Sequence, residues 1–211
     1  MNERNAKQKK KIRAQARSGT LSHAWLLLAG SPGSREELAA FLAAALLCSG
    51  SEPPCGVCAH CVKLAKGIHP DLLRVEKLPD RASYIVDQVR ELTREAYIVP
   101  NEAARRVFYI PAADEMNAAA QNAMLKLLEE PPARSVFILA AADEDAVLET
   151  VRSRCVTLYL SGEDAPPPPE ARERAEHLRC RRRYAIGDRT ESLREHLRRL
   201  EEISQTSKEG K

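Results

Sequence analysis

Ala120-Gln-Asn-Ala-Met-Leu-Lys-Leu-Leu-Glu-Glu-Pro-Pro132, with Ser153-Arg154-Cys155 following after one further apolar run, is the stretch whose reading decides the fold. Met124, Leu125, Leu127 and Leu128 form an apolar stripe at helical spacing. Pro131-Pro132 ends that helix, because proline has no N–H to donate. Ser135-Val-Phe-Ile-Leu-Ala-Ala141 then reads as a strand buried on both faces, the kind found in parallel sheets. Outward from it, apolar runs at 25–28, 72–75, 107–110, 136–140 and 156–159 predict five strands. Helical patterns fill 34–47, 84–97, 117–129 and 144–152. This alternation predicts an α/β fold, a five-stranded parallel sheet with helices on both faces.

With 211 residues the chain holds one full domain and a small appendage. The domain is expected over residues 1–161. A stiff linker follows at 162–169, ending in four prolines. A charged segment at 170–203, carrying Arg179-Cys-Arg-Arg-Arg183, reads as a reduced helical lid, and 204–211 as a frayed tail. A composition of 44% hydrophobic and 30% charged residues fits a globular protein. No apolar run approaches the ~20 residues of a membrane span. The N-terminus has no signal-peptide core, so a cytoplasmic location is expected. A net charge of +3 says little, but its distribution says more. Arg4, Lys7, Lys9, Lys10, Lys11, Arg13 and Arg17 face only Glu3, forming either a solvated helix face or a segment that contacts phosphates.

Cys48, Cys55, Cys58 and Cys61 follow the pattern C-x6-C-x2-C-x2-C. Two-residue gaps let thiolates turn inward on one ion, and four sulfurs at ~2.3 Å make a closed structural zinc site. A disulfide framework is the alternative, but nothing in the sequence indicates an oxidising compartment. His60 and His69 lie nearby as substitute ligands that a four-sulfur set does not need. Cys155, expected to be buried between a helix and a strand, and Cys180 read as plain thiols.

The segment Gly30-Ser31-Pro32-Gly33-Ser34-Arg35-Glu36-Glu37 stands where a strand-to-helix phosphate loop, Gly-x-x-x-x-Gly-Lys-Ser/Thr, would lie. Arg35 replaces the second glycine, Glu36 the lysine and Glu37 the hydroxyl residue. Ser34 and Glu37 are expected to form a capping box that uses the helix's own amides. A carboxylate ~4 Å from a phosphate charge costs on the order of 4 kcal/mol at an effective dielectric of 20. ATP binding is therefore not expected here.

These motifs together resemble the AAA+ clamp-loader subunits of bacterial DNA polymerase III, the delta-prime and gamma/tau chains, across residues 20–160. The carriers are the Asn122-to-Pro132 wording, Ser153-Arg154-Cys155, a cysteine knuckle after the first nucleotide-domain helix, Gly67-Ile-His-Pro-Asp-Leu72 and His23-Ala24-Trp25. The resemblance implies a P-loop-type sheet with a zinc-knuckle insertion. It also implies that Pro111 and Ala112 stand where the acidic metal-binding pair would end its strand, leaving Asp114 and Glu115 to begin the next helix. Ala140-Ala141-Ala142 offers no polar sensor side chain. Three nucleotide-handling elements missing together favour delta-prime over the gamma/tau ATPases. Ser153 and Arg154 would then supply an arginine finger to ATP held by a neighbour, whereas spacing alone makes Arg154 a helix-end cap. The implied partners are gamma/tau-like ATPase subunits and a delta-like subunit, in a complex classed with DNA-directed DNA polymerase. Family members continue into a helical collar, which is expected to be missing here. Two rival readings are a gamma-type ATPase and a zinc-knuckle nucleic-acid-binding protein.

Overall fold

The computed structural model describes residues 3–78 and 83–161. The expected linker at 162–169, lid at 170–203 and tail at 204–211, with Cys180, lie outside the described residues. Helix α1 (Glu3–Arg17) leads into strand β1 (Ala24–Leu28), α2 (Pro32–Leu47) and the short α3 (Ala59–Ala65). Then come β2 (Leu72–Arg74), α4 (Val86–Ala96) and β3 (Arg106–Ile110). A 3-10 turn at Ala113–Glu115 precedes α5 (Ala118–Glu129), β4 (Ser135–Ala141), α6 (Glu149–Arg152) and β5 (Val156–Tyr159). The five strands are parallel in the order β2-β3-β4-β1-β5.

Burial explains the apolar runs. Every residue of β1, β3 and β4 is buried, whereas the edge strands β2 and β5 are only partly covered. Side chains alternate between two cores. Leu26, Phe108, Phe137 and Leu139 face α4, α5 and α6; Trp25, Leu27, Val107 and Ile138 face α2. Helix α2 is apolar on more than one side because α1 lies across it, inserting the fully buried Ile12.

Helix α5 begins at Asn117, whose side chain accepts from the Ala120 amide at 2.8 Å, and stops before the proline pair. His23 meets the Leu128 carbonyl at 3.0 Å, tying that helix end to the entry of β1. The helix expected at 144–152 shrinks to the single turn α6. The reason is tertiary: buried Gln121 accepts from the Leu148 amide and donates to the Ala146 carbonyl, holding 146–148 as a loop. Tyr84, expected in a helix, instead bridges to Met116 in β fashion, and α4 starts at Val86.

Candidate functional site

Strand β1 delivers the chain to the loop at 29–31. Ala29 and Gly30 both have positive φ, 59° and 71°. A Cβ on residue 30 would lie 2.9 Å from the Leu160 Cβ, so both the dihedral and the close approach require glycine. The capping box expected from Ser34 and Glu37 does not form. Pro32, suited to the first helical position, starts α2 earlier, and Ser31 Oγ accepts from the Ser34 amide at 3.2 Å. Gly33 falls inside the first turn.

Arg35 is nearly buried and folds back on this loop, donating to the carbonyls of Gly30 at 2.7 Å and Ala29 at 3.3 Å. Glu36 turns toward the sheet. It accepts from Arg74 at the end of β2 and from the Tyr109 hydroxyl at 3.0 Å. Burial and the Glu36 carboxylate both push the Tyr109 hydroxyl pKa up. Arg74 also stacks over the Tyr109 ring at 5.1 Å. Glu37 pairs outward with Lys9 of α1 at 2.6 Å. The residues standing at the second-glycine, lysine and hydroxyl positions are thus all engaged within the chain.

Pro111 and Ala112 directly follow β3, and neither offers a metal ligand. Asp114 and Glu115 do not begin α5; they sit in the separate 3-10 turn, with Met116 and Asn117 between. Asp114 accepts from the amides of Ala142 at 2.8 Å and Asp143 at 3.2 Å, closing the end of β4. Glu115 pairs with Lys77.

Ser153 and Arg154 lie just before β5, at the end of the strands opposite the loop that follows β1. Register pairs Trp25 with Val156 and Leu28 with Tyr159, so Arg154 precedes the start of β1 in height while Gly30 follows its end. At 3.3 Å per strand residue, the start of β5 and Gly30 lie roughly 16 Å apart along the strand direction. Arg154 donates through Nε to Glu129 at 2.8 Å and through Nη1 to the Thr150 carbonyl at 2.8 Å. Ser153 Oγ donates to the same carbonyl at 3.2 Å and meets Arg154 Nη1 at 3.3 Å. The Arg154 side chain remains 34% exposed. Arg152 turns elsewhere, to Glu144 at 2.7 Å. Cys155 is half-buried rather than fully buried, with its thiol pushed up to about 12 by desolvation.

Between α2 and α3, Cys48, Cys55, Cys58 and Cys61 place their sulfurs within 4.8 Å of one another, so they could hold a metal ion. Cys48 and Cys58 sulfurs lie 3.9 Å apart, against ~3.8 Å for two sulfurs of a tetrahedron with 2.3 Å bonds. Amides point at the sulfurs: Gly50 and Cys55 toward Cys48, Cys58 toward Cys55, Cys61 toward Cys58, at 3.3–3.4 Å. Gly50 permits this wrapping, since a Cβ there would touch the Cys55 sulfur at 3.0 Å. Burial opposes ionisation of Cys58, yet donors from Cys61 and Ser49 pull its thiol down to about 5. Burial and the neighbouring cysteines push Cys61 up to about 12. The donors and spacing fit a four-sulfur zinc site.

His60 and His69 form a separate group with Glu102. His69 Nδ1 accepts from the Asp71 amide at 3.1 Å, which puts its proton on Nε2, donated to His60 Nδ1 at 2.9 Å. Neither ring turns to the cysteines. Asp71, fully buried, was missed as a key residue. Its carboxylate accepts from the Asn101, Glu102 and Ala103 amides at 2.6, 2.9 and 2.9 Å and from the Asn101 side chain at 3.0 Å. Burial would raise its pKa, but these donors together hold it below the usual range. The sequence signal was its place in Gly67-Ile-His-Pro-Asp-Leu72.

The profile of the family described as DNA polymerase III, delta subunit, matches residues 4–164. The chain is 36% identical over 167 residues to the DNA polymerase III subunit delta' of Escherichia coli K12, covering 76% of this chain and 47% of that one. It is 36% identical over 139 residues to the gamma/tau subunit of Mycobacterium tuberculosis H37Rv, covering 65% and 24%. A solved gamma subunit-related protein from Thermotoga maritima superposes with a TM-score of 0.53 at 20% identity, over 77% of this chain and 47% of that one. The fold is the AAA+ P-loop-type sheet. The chain spans between a quarter and a half of the length of these curated relatives.

Proposed function

This chain belongs to the DNA polymerase III delta-subunit family, and we propose that it acts as a delta-prime-like clamp-loader subunit that holds no ATP itself and lends Arg154 to a neighbouring ATPase subunit. The observation that carries the first half is Glu36. Where a phosphate loop needs lysine, a carboxylate is locked to Arg74 and Tyr109, and Arg35 covers the loop carbonyls. Phosphate would meet acidic charge and helix amides already engaged. The second half is supported by position. Arg154 lies at the strand end opposite the chain's own loop, so any ATP it reaches belongs to another subunit. A guanidinium there spreads charge over transferring phosphoryl oxygens, a contribution of about 10³–10⁵ in rate where such fingers operate. Zinc in the four-cysteine knuckle would be structural, with all positions filled by sulfur. The partners are gamma/tau-like and delta-like subunits acting on primed DNA.

A specific contact favours a second reading: Arg154 already caps the Thr150 carbonyl and pairs with Glu129. One experiment separates the two. Arg154→Ala is assembled with the cognate ATPase subunits, and clamp- and DNA-stimulated ATP turnover is measured. A finger predicts a loss of at least tenfold at the adjacent site with normal folding, little effect from Arg152→Ala, and failure of Arg154→Lys. Unchanged turnover leaves Arg154 a helix-end cap. Calorimetry of the isolated chain with magnesium and ATP should show no binding; micromolar affinity would overturn the non-ATPase reading.

A further inference from the structure

Helix α1 is not a loose basic tail. Ile12 is fully buried in the α2 core, and buried Asn5 accepts from the Ser161 amide at 3.4 Å. Docking divides its cations. Lys9 pairs with Glu37, Lys9 and Arg13 lie over the Phe41 ring at 5.4 and 5.2 Å, and Arg17 pairs with Glu52. Lys7, Lys10 and Lys11 are exposed, and no acidic partner reaches them among the described residues. At 100° per residue they occupy one arc opposite Ile12 and Asn5.

Their spacing is costly. Lys7 and Lys10 are three residues apart, and Lys7 and Lys11 four, so like charges sit side by side on one face. Like charges at these spacings repel one another on a helix, a repulsion that a bound polyanion offsets. The three ammonium groups fall within ~6 Å of helix axis, and duplex DNA carries one charge per ~1.7 Å. We propose that the outward face of α1, formed by Lys7, Lys10 and Lys11, is a docking surface for the phosphate backbone of duplex DNA. The contact reads charge and not sequence, and it is independent of the roles of Glu36 and Arg154. A rigid platform loses less conformational entropy on binding than a disordered arm does.

The test uses the full chain and a fluorescently labelled duplex of mixed sequence, with binding followed by anisotropy between about 50 and 200 mM salt. Three released counterion positions give a log–log slope of about −2.7, or roughly a 40-fold loss of affinity across that range. Lys7→Gln/Lys10→Gln/Lys11→Gln should abolish most of this slope, while circular dichroism shows the same fold, since glutamine is a good helix former. Arg17→Gln should keep it, because that cation is already paired with Glu52. An unchanged slope in the triple variant overturns the proposal. So does absent wild-type binding at the lowest salt, or equal binding to a polyglutamate of matched charge, which would make the face a generic acidic-protein contact.

Discussion

Glu36 illustrates how one side chain can be decisive through its surroundings. Its side chain is 16% exposed and that of Arg74 opposite it 12%, so the pair is largely shielded from water and held at a second point by Tyr109. Returning lysine to this position would place two cations together in a low-dielectric pocket. Glu36→Lys should therefore lower unfolding stability by on the order of 3–5 kcal/mol in urea titration, without restoring ATP binding. Glu36→Gln, which can still accept from Tyr109, should cost clearly less. A lysine variant as stable as the parent would mean that the pair contributes nothing to the fold. The sequence exposed the acidic replacement at once. It could not reveal Arg74 and Tyr109, 38 and 73 positions away, because only sheet pairing brings them together.

Among the elements, loops more than helices set the geometry of the site. Asp71 collects the amides of 101–103 and so anchors the segment leading into β3. Its carboxyl pKa is depressed below the ordinary 3.8. The stabilisation it gives is complete above that unfolded value and is lost as pH falls through the lower folded one. Unfolding stability should accordingly decline in acid below about pH 4, and Asp71→Asn should flatten that decline while costing about 3 kcal/mol at neutral pH. Comparing denaturant midpoints of both proteins across this range checks it; parallel curves would remove Asp71 from the account. Gln121 does for 146–148 what Asp71 does for 101–103, and its buried amide is why α6 is one turn long. The sequence pattern at 144–152 looks helical, yet tertiary hydrogen bonds claim its backbone groups first.

On the scale of the whole molecule, two cores hold the sheet, and the cysteine knuckle between α2 and α3 belongs to neither. Of the four cysteines only Cys61 is buried, so a bound ion would order the knuckle far more than the sheet. Stripping metal from purified protein with a chelator should speed amide exchange across 48–61 while β1, β3 and β4 stay protected. Elemental analysis should first find one zinc per chain. Protection lost uniformly would make the knuckle part of the cooperative core, and absent zinc would sink the site. The sequence by itself determined the five strands, α2, α5 and the four-cysteine cluster, because their signals are local: buried runs, a proline stop and two-residue cysteine gaps. Only the tertiary structure decided the loss of most of α6, the placing of Arg154 at the strand end away from its own loop, and which lysines of α1 face water. Each of those depends on a partner distant in sequence, whose burial or hydrogen bonds outweigh a local propensity worth well under ~1 kcal/mol per residue.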